Sequence, residues 1–366
     1  MPSLLTVCFA LIWLLALAGG KEVKCTRPAV RKEWRSLSHK EQEHWISAFK
    51  CVADLPGDCE FSPTVNLPDI APFNDSGSLF DDYVYAHMDL NHHIHFTGLF
   101  FPWHRWYLHS FEKVLRNRCG YRGPFPYWDW TQDAADFYGS AFFKDSNPRS
   151  GLGGWGDAST QFRVLDGAFS ASSSFRVSYP FPHTLRRNFT LFPPLDVLFP
   201  IPDIAWNHTR PANASFTKPV VESLVGGFVG DFKGFQAQME GTQGPHLNVH
   251  YIIGGDASGQ CPVDAPAGCI SGPTFSPNDP LFFLHHAMVD RIWFKWQRKH
   301  KLNKYAFAGG SVQQLDNVTV FSEYPTGGPP FLTMHSEIPT NGLAPVSYTV
   351  SDMMSTTEGS LCYVYE

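Results

Sequence analysis

HMDLNHHIHFTGLFFPWHRWYLHSFEKVLRNRCGYRGPFPYWDWTQD, residues 87–133, is the stretch around which the rest of the chain is organised. Five histidines fall within its first eighteen residues: His87, His92, His93, His95 and His104. Imidazole is a preferred ligand of copper and zinc, and three converging imidazoles can hold one ion. Aromatic residues surround these histidines. The stretch therefore predicts a metal site in an apolar setting.

A second group of histidines follows much later in the chain. His246 and His250 are four residues apart, which places both imidazoles on one face of a helix. The pair His285-His286 falls on a further predicted helix, for which Pro280 suits the first turn. Two separate histidine clusters predict two metals, or one pair of metals.

The residues around the second cluster favour copper over zinc. In zinc proteases with the HxxxH spacing, Glu directly follows the first His, whereas Leu247 holds that position here. A closed structural zinc site usually includes cysteines, and none is near these histidines in sequence. Ligation by imidazole alone, without thiolate or carboxylate, suits copper.

The predicted fold class is mainly α, with a four-helix bundle holding a dinuclear site, long loops and a few short strands. Apolar periodicity predicts helices over residues 38–52, 81–88 and 103–118. His87 would lie near the end of the second helix and His104 in the first turn of the third, with His95 in the connection before it. Residues ~134–220, rich in Gly, Ser, Pro and Phe, are expected to form long surface loops, and the last ~65 residues short strands.

Composition bounds the class of protein. Hydrophobic residues make up 43% of the 366 positions, so the chain can bury a large core and is not expected to be disordered. The net charge is −6 and there are no basic runs, which argues against nucleic acid as a partner.

The first twenty residues, MPSLLTVCFALIWLLALAGG, have the form of a signal peptide. The apolar part has the length of a signal-peptide core, and small residues follow where a peptidase would cut. The alternative is a membrane anchor, which needs about twenty apolar residues. We therefore expect residues 1–20 to be removed, leaving a single catalytic domain over residues 21–366 that is secreted or lies in the secretory lumen, with no membrane partner.

Cysteines and glycosylation sequons agree with export. Cys261 and Cys269 bracket a Pro/Gly loop and are predicted to pair; Cys51 with Cys59, or Cys25 with Cys119, are further candidates. Loss of Cys8 with the signal leaves an odd count, hence one free thiol. Five sequons could carry glycans: Asn74, Asn188, Asn207, Asn213 and Asn317.

The histidine-rich motifs resemble those of a known family. HFTGLFFPWHRWYLHSFE with FPYWDW, and later FSPNDPLFFLHHAMVDRIW, are similar to the copper A and copper B signatures of the tyrosinase and catechol oxidase family, especially its short secreted fungal members. The resemblance covers essentially the whole mature chain. Near the start, residues 27–33 resemble the family's opening segment, and Tyr363-Val364-Tyr365 resembles its closing tyrosine motif.

This resemblance implies a ligand for each position of a copper pair. Copper A would be held by His87, His95 and His104, and copper B by His246, His250 and His286. His285 and Asp290 would lie just outside the ligands, with Asp290 either orienting an imidazole through its N–H or pairing with Arg291 or another cation. The remaining histidines are interpreted as ordinary polar residues: His39, His44, His92, His93, His109, His183, His208, His300 and His335.

The chain also departs from the family. Many members have a cysteine, cross-linked to a histidine, where this chain has His93, so no thioether is expected. The sequence ends at the tyrosine motif without the C-terminal lid of larger fungal members, so activity is expected without proteolytic trimming. Leu247 stands where members with strong phenol hydroxylation often have Asn.

The implied activity is oxidation of o-diphenols to o-quinones with O2 and two copper ions, with hydroxylation of monophenols weak or slow. Glu240 is the carboxylate expected to help remove the phenol proton as a catalytic base; the alternative is that it is a solvated loop residue. The substrate would be a small phenol or a tyrosyl peptide. Two alternative functions remain open here: a tailoring enzyme of secondary-metabolite (mycotoxin) biosynthesis that acts on peptide tyrosines or other phenols, and a hemocyanin-like oxygen carrier.

Overall fold

The computed structural model describes residues 25–58, 61, 70–198, 204, 206–267 and 269–366. The predicted signal segment 1–20 and Cys59 lie outside these residues. Helices dominate the described part of the chain, as predicted, and a few short strands accompany them.

The α-helices of the described residues, in chain order, are α1 His39–Asp54, α2 Leu79–Asp89, α3 Asn91–Ile94, α4 Phe100–Arg118, α5 Leu195–Leu198, α6 Lys218–Gly226, α7 Phe232–Glu240, α8 Pro245–Ile253, α9 Leu281–Lys299 and α10 Val318–Glu323. Four of them, α2, α4, α8 and α9, carry histidines of the predicted site. The longest two, α4 and α9, pack against each other.

The strands are short: β1 Ala29–Glu33, β2 Pro126–Tyr127, β3 Gly310–Val312, β4 Gly328–Phe331, β5 Glu337–Ile338, β6 Tyr348–Thr349 and β7 Tyr363–Tyr365. β1 lies between β2 and β7 and is parallel to both. The other two pairs, β3–β4 and β5–β6, are antiparallel. The opening segment and the tyrosine motif, far apart in sequence, are therefore neighbours in one sheet.

Helix caps explain where the first two long helices begin. At α1 the Ser38 amide donates to the Glu41 carboxylate at 2.8 Å, and the Glu41 amide donates to the Ser38 hydroxyl at 3.3 Å. Ser38-His39-Lys40-Glu41 has the sequence form of such a capping box. Ser78 and Asp81 form a second capping box, so α2 begins two residues earlier than predicted. The helix ends at Asp89, so His87 lies in its last turn, as predicted.

Aromatic packing joins three helices behind the site. Phe49 of α1 lies 5.3 Å from Phe111 of α4 and 5.4 Å from Phe283 of α9, measured between ring centroids. Phe111 and Phe283 are stacked at 4.0 Å. All three side chains are fully buried, and burying each stabilises the fold by about 1.5–3 kcal/mol.

The described residues between 134 and 220 form loops with short helices and helical turns, as predicted, but they are not confined to the surface. Phe137, Phe142, Phe143 and Phe169 are buried in the main core. The prediction of surface loops was wrong on this point, because aromatic residues without helical or strand periodicity can still supply core surface. Among the described residues, no helix has both the length and the apolar character needed to cross a membrane.

Three disulfides link the described cysteines. Cys261–Cys269 is present as predicted. The other two candidate pairings were wrong: Cys51 pairs with Cys119, and Cys25 with Cys362. Cys51 is in the last turn of α1 and Cys119 follows α4, which packs on α1. Pairing between β1 and β7 likewise brings Cys25 to Cys362.

Candidate metal centre

The structure gathers the predicted histidines into two buried clusters. The first contains His87, His95 and His104; the second contains His246, His250, His285 and His286. Within each cluster, one ring nitrogen from every member lies within 4.8 Å of those of the others. Loops and helices that are distant in sequence therefore converge, and the six predicted ligands come together.

In the first cluster every ring is held by a backbone carbonyl. His87 Nδ1 lies 2.6 Å from the Thr274 oxygen, and His104 Nδ1 lies 2.7 Å from the Phe100 oxygen. His95 Nδ1 has a longer contact of 3.3 Å with the Asn91 oxygen. Because a carbonyl only accepts, Nδ1 carries the proton and Nε2 presents its lone pair. The Nε2 atoms of His87 and His104 have no protein partner among the described residues.

His104 belongs to the second turn of α4 rather than the first, since that helix begins at Phe100. Its Nδ1–H therefore returns to the carbonyl four residues earlier in the same helix. His95 lies between α3 and α4, as predicted.

In the second cluster, only some of the ring nitrogens have a hydrogen-bond partner. His250 Nδ1 lies 2.8 Å from the Ala257 carbonyl, while its Nε2 is 3.3 Å from His286 Nε2. Both ring nitrogens of His246 and the Nδ1 of His286 lack a hydrogen-bond partner among the described residues. Buried polar atoms without partners are costly. A metal ion bound at one nitrogen of each ring would satisfy that nitrogen, while the other nitrogen carries the proton of the neutral ring.

The two clusters face each other. The rings of His104 and His286 are stacked with centroids 4.3 Å apart and planes 9° apart. His95 and His246 are also stacked, at 5.8 Å. Two ions held by these clusters would be close neighbours, as a coupled pair requires.

Burial keeps these rings neutral. It lowers the pKa of His87 to about 3 and that of His250 to about 4. For His95, His104, His246 and His286, burial and the neighbouring histidines hold the pKa well below the usual value. Ligation needs neutral imidazole. The donor set thus fits a pair of copper ions, with nitrogen ligands alone.

His285 lies within the second cluster but is oriented differently. The Trp130 indole N–H donates to its Nδ1 at 3.1 Å. An Nδ1 that accepts leaves the proton of the neutral ring on Nε2. In that tautomer Nε2 has no lone pair for a metal, which favours His286 over His285 as the ligand; the choice between them stays a prediction.

Glu240 is the last residue of α7 and is fully buried. The Phe96 amide donates to its Oε1 at 2.5 Å, and the Gln236 amide donates to its Oε2 at 2.9 Å. Burial raises the pKa of Glu240 well above its usual value, against the opposing effect of these two hydrogen bonds. The alternative of a solvated loop residue was wrong. The carboxyl braces the segment that follows His95.

A narrow cavity opens beside the histidines. Its lining consists of Asn91, His95, Phe96, His246, Leu247, His250, Pro273, Ser276 and Gln313. The volume is about 20 Å³, room for roughly one water. A phenol can enter only when side chains of the lining move.

Apolar residues pack around one part of this cavity. Phe96 and Leu247, which line it, are buried in one cluster with Leu195 and Tyr251, and Trp206, Leu315 and Phe321 pack against that cluster. Sequence reasoning missed the contribution of residues 313–321, because no motif marks them. Their only sequence signal is an apolar pattern, and such a pattern does not predict which part of the protein these residues pack against.

Asp290 does not contact a histidine, so the prediction that it orients an imidazole was wrong. It accepts hydrogen bonds from Arg105 at 2.5 Å, Tyr363 at 2.6 Å and Tyr365 at 2.5 Å, and Arg31 lies 3.4 Å away. The alternative of a salt bridge holds, but with these arginines rather than with Arg291. The side chain points away from the histidine clusters because α9 turns it toward β1 and β7.

Three other histidines of the opening stretch, His92, His93 and His109, belong to neither cluster. His93 is exposed and His92 half-buried. Their interpretation as ordinary polar residues stays a prediction; the Nε2 of His109 is buried and has no hydrogen-bond partner among the described residues.

The predicted sequons differ in accessibility. Asn207 and Asn317 are exposed, and the Oδ1 of Asn317 caps α10, which leaves its Nδ2 for a glycan. Asn74 and Asn188 are half-buried. The Nδ2 of Asn213 donates to a backbone carbonyl at 2.8 Å, so this sequon is the least suited to modification.

Comparison with known sequences adds independent findings. A family model described as the common central domain of tyrosinase matches residues 77–299. A tyrosinase-like protein, phomQ1′, of Diaporthe leptostromiformis is 31% identical over 94% of this chain and 81% of its own length. The N-acetyl-6-hydroxytryptophan oxidase ivoB of Emericella nidulans is 26% identical over 96% of each chain.

Among solved structures, a polyphenol oxidase of Thermothelomyces thermophila, in a mutant form with a glycine replaced by asparagine, has a similar fold. The TM-score is 0.68 and the sequences are 26% identical, over 93% of this chain and 89% of that one.

Proposed function

This chain belongs to the tyrosinase family and is a copper-dependent oxidoreductase, and we propose that it uses O2 to oxidise o-diphenols to o-quinones. The observation that carries the proposal is the facing pair of buried histidine clusters, with the rings of His104 and His286 stacked at 4.3 Å. We propose His87, His95 and His104 as ligands of one copper, and His246, His250 and His286 as ligands of the other.

Each o-diphenol loses two electrons and two protons, and two such oxidations reduce one O2 to two waters. The copper pair, when bound, supplies the O2-binding and electron-accepting chemistry. The chain's own residues hold and insulate that pair. Backbone carbonyls fix the rings of His87, His104 and His250 with Nε2 facing inward, and the apolar cluster around Leu247 limits the access of water.

The lining of the cavity favours an uncharged substrate. None of the described residues that line it is Asp, Glu, Lys or Arg. Asn91 is 8% exposed and its Nδ2 has no hydrogen-bond partner among the described residues. Its amide can bind a neutral polar substituent, such as a carbonyl, on the phenol ring. A charged ammonium group would find no counter-ion here.

A second candidate function is tailoring of a phenol, or of a tyrosine in a peptide, during secondary-metabolite biosynthesis. The uncharged lining supports it, because a tyrosine within a peptide carries amides where free tyrosine carries charges. The similarity to an oxidase named for N-acetyl-6-hydroxytryptophan supports it too, since that substrate is N-acylated.

Oxygen uptake by the copper-loaded protein tests both candidates. We would compare a catechol, a monophenol and a tyrosyl peptide, and add dopamine beside N-acetyldopamine as a cationic and a neutral catechol. Rapid uptake with catechols, with a higher kcat/KM for the N-acetyl form, is expected. Reversible O2 binding without catechol turnover would instead identify an oxygen carrier.

The substitution Leu247→Asn is expected to raise monophenol turnover relative to catechol turnover. Leu247 lines the cavity and has no hydrogen-bonding atom, so it cannot help to polarise a water that removes the phenol proton, whose pKa is about 10. Initial rates of both substrates measure the ratio. An unmodified enzyme that already converts both equally fast would contradict the argument, and Leu247→Met is the matched control for side-chain volume.

The substitution Glu240→Gln is expected to lower whatever monophenol activity exists, more than catechol activity. The amide keeps the size of the carboxyl but cannot accept a proton. Its NH2 group is a donor and would face another donor, either the Phe96 N–H or the Gln236 amide. Steady-state kinetics with both substrates separates the two activities. An equal loss on both would show that Glu240 only supports the segment after His95.

We also propose that residues 1–20 are a signal peptide, that residues 21–366 form one catalytic domain, and that the protein is secreted and glycosylated. The three disulfides of the described residues support an oxidising compartment. The exposed sequons Asn207 and Asn317 are the expected glycan sites. Intact mass and the N-terminal sequence of the secreted protein, before and after glycosidase treatment, test these points; a retained N-terminal segment would contradict them.

A further inference from the structure

A buried histidine outside both clusters, His183, has an acceptor at each ring nitrogen. Nδ1 lies 2.7 Å from the Phe181 carbonyl oxygen, and Nε2 lies 2.7 Å from Asp256 Oδ1. His183 is 8% exposed and Asp256 1%. Since both partners accept, the ring carries both protons and forms an ion pair with Asp256.

Asp256 is also held by the backbone of Arg186, three residues after His183. Its Oδ2 accepts from the Arg186 amide at 2.8 Å, and its own amide donates to the Arg186 carbonyl at 3.0 Å. The turn that carries Asp256 is packed tightly here: Gly255 has a φ of 54°, and a Cβ on it would lie 2.2 Å from the Arg186 oxygen. Only glycine fits this approach.

The next residue of that turn, Ala257, provides the carbonyl that holds His250 Nδ1 at 2.8 Å. His183, Asp256, Ala257 and His250 thus form one continuous chain of contacts. A small rotation of the Asp256 peptide would move the only partner of the His250 Nδ1 atom that the structure shows.

The same segment holds the other helix of the second cluster. Arg187 makes two hydrogen bonds with Asp279, at 2.7 and 2.9 Å, and both side chains are fully buried. Asp279 Oδ1 accepts from the Leu281 amide at 2.9 Å, at the start of α9, which carries His286. Residues 183–187 therefore brace both elements that present the second cluster.

We infer that His183 is a positioning residue for the second copper: in its doubly protonated form it holds Asp256, and through the Ala257 carbonyl it fixes the ring of His250. Loss of an outer partner of a metal ligand typically costs 10- to 100-fold in affinity, or about that in activity. This inference rests on the proposed function, since it concerns retention of copper by the second cluster.

The charge on His183 gives the inference a pH signature. Burial lowers its pKa, but the charge and hydrogen bond of Asp256 outweigh that effect and the weaker one of Arg186, so the pKa is raised above its usual value. Arg186 itself pairs with Asp264 at 2.7 Å. The contribution of the pair is full below the unfolded pKa of about 6.5, and it is lost as pH rises through the folded value. Copper in the second cluster should be retained less well at alkaline pH.

The test isolates one copper at a time in the copper-loaded, full-length protein. His104→Ala leaves the second cluster complete, and His286→Ala leaves the first complete. In the His104→Ala protein, adding His183→Gln should speed copper release to a chelator about 10-fold. In the His286→Ala protein the same change should have no effect. Equal acceleration in both, or none in either, would overturn the inference.

The pH dependence provides a readout that a merely structural role would not move. Release from His104→Ala should accelerate between about pH 6 and about pH 9, whereas with His183→Gln added it should be fast at both. His183→Lys keeps a cation with a pKa of about 10.4 and should restore retention at the higher pH. A pH profile unchanged by His183→Gln would contradict the inference.

Two further variants guard against misfolding and general effects. Asp256→Asn should reproduce the faster release, and adding it to His183→Gln should change nothing further, because both act through one contact. His335→Gln, at an exposed histidine, should leave release unaltered. If the unmodified protein binds no copper pair at all, the proposed function fails, rather than this inference.

Discussion

His286→Ala is expected to leave one copper per chain instead of two and to abolish catechol-dependent O2 uptake. His286 contributes to the second cluster, with its Nε2 3.3 Å from that of His250, and two imidazoles alone hold copper poorly. The loss should exceed the 10- to 100-fold that removal of an outer partner costs. His104→Ala, which removes an imidazole of the first cluster, should likewise leave one copper per chain and abolish catechol-dependent O2 uptake. Metal analysis and oxygen consumption on the same samples measure both effects.

His92→Ala and His93→Ala are the matched controls, since they remove imidazoles from the same stretch but outside both clusters. Both should keep two coppers and full activity. A metal ratio near one in the unmodified protein, a preference for zinc, or full activity after His286→Ala would refute the dicopper assignment.

Asp290→Ala is expected to lower the free energy of unfolding by about 3–5 kcal/mol, the usual cost of removing one partner of a buried ion pair. Asp290 is 3% exposed, and the arginines it serves, Arg31 and Arg105, are 1% and 0% exposed. Without the carboxylate both cations lose a counter-charge in a medium of low dielectric. Denaturant unfolding of the copper-free protein measures the change without interference from metal binding.

Asp58→Asn provides the comparison, because Asp58 pairs with Arg118 at the surface. Exposed pairs contribute at most about 1 kcal/mol, so this variant should unfold almost like the parent. A loss no greater for Asp290→Ala than for Asp58→Asn would show that Glu112, which contacts Arg31 at 2.8 Å, compensates for the missing charge.

The helices and the convergence of the histidines could be predicted because both are encoded locally. Ser38 and Glu41 mark a helix start within four residues, and the spacing of His246 and His250 puts them on one face. The helical class follows from such periodicity. The predicted set of six ligands rests on the family resemblance as well, since spacing alone does not choose between His285 and His286. There the Trp130 contact adds the physical reason.

What could not be predicted depends on contacts between distant segments. The pairing of Cys25 with Cys362 and the partners of Asp290 follow from the β1–β7 pairing, for which two short strands give almost no signal. From the sequence, a solvated position for Glu240 was as plausible as a place near the site. No residue near it in the chain indicates that its carboxyl will accept a hydrogen bond from the Phe96 amide. His183 had no motif at all; only the fold brings it to Asp256.

The placement of β1 between β2 and β7 has a consequence for the order of folding. Cys25 and Cys362 are 337 residues apart, so almost all of the chain between them must be synthesised before the central strand can pair with both of its neighbours. Contacts of such long range form late and slowly. Until then Arg31 and Asp290 have no tyrosine partners, and the nascent chain exposes apolar surface. We therefore expect completion of this sheet to be the last step in the folding of the chain.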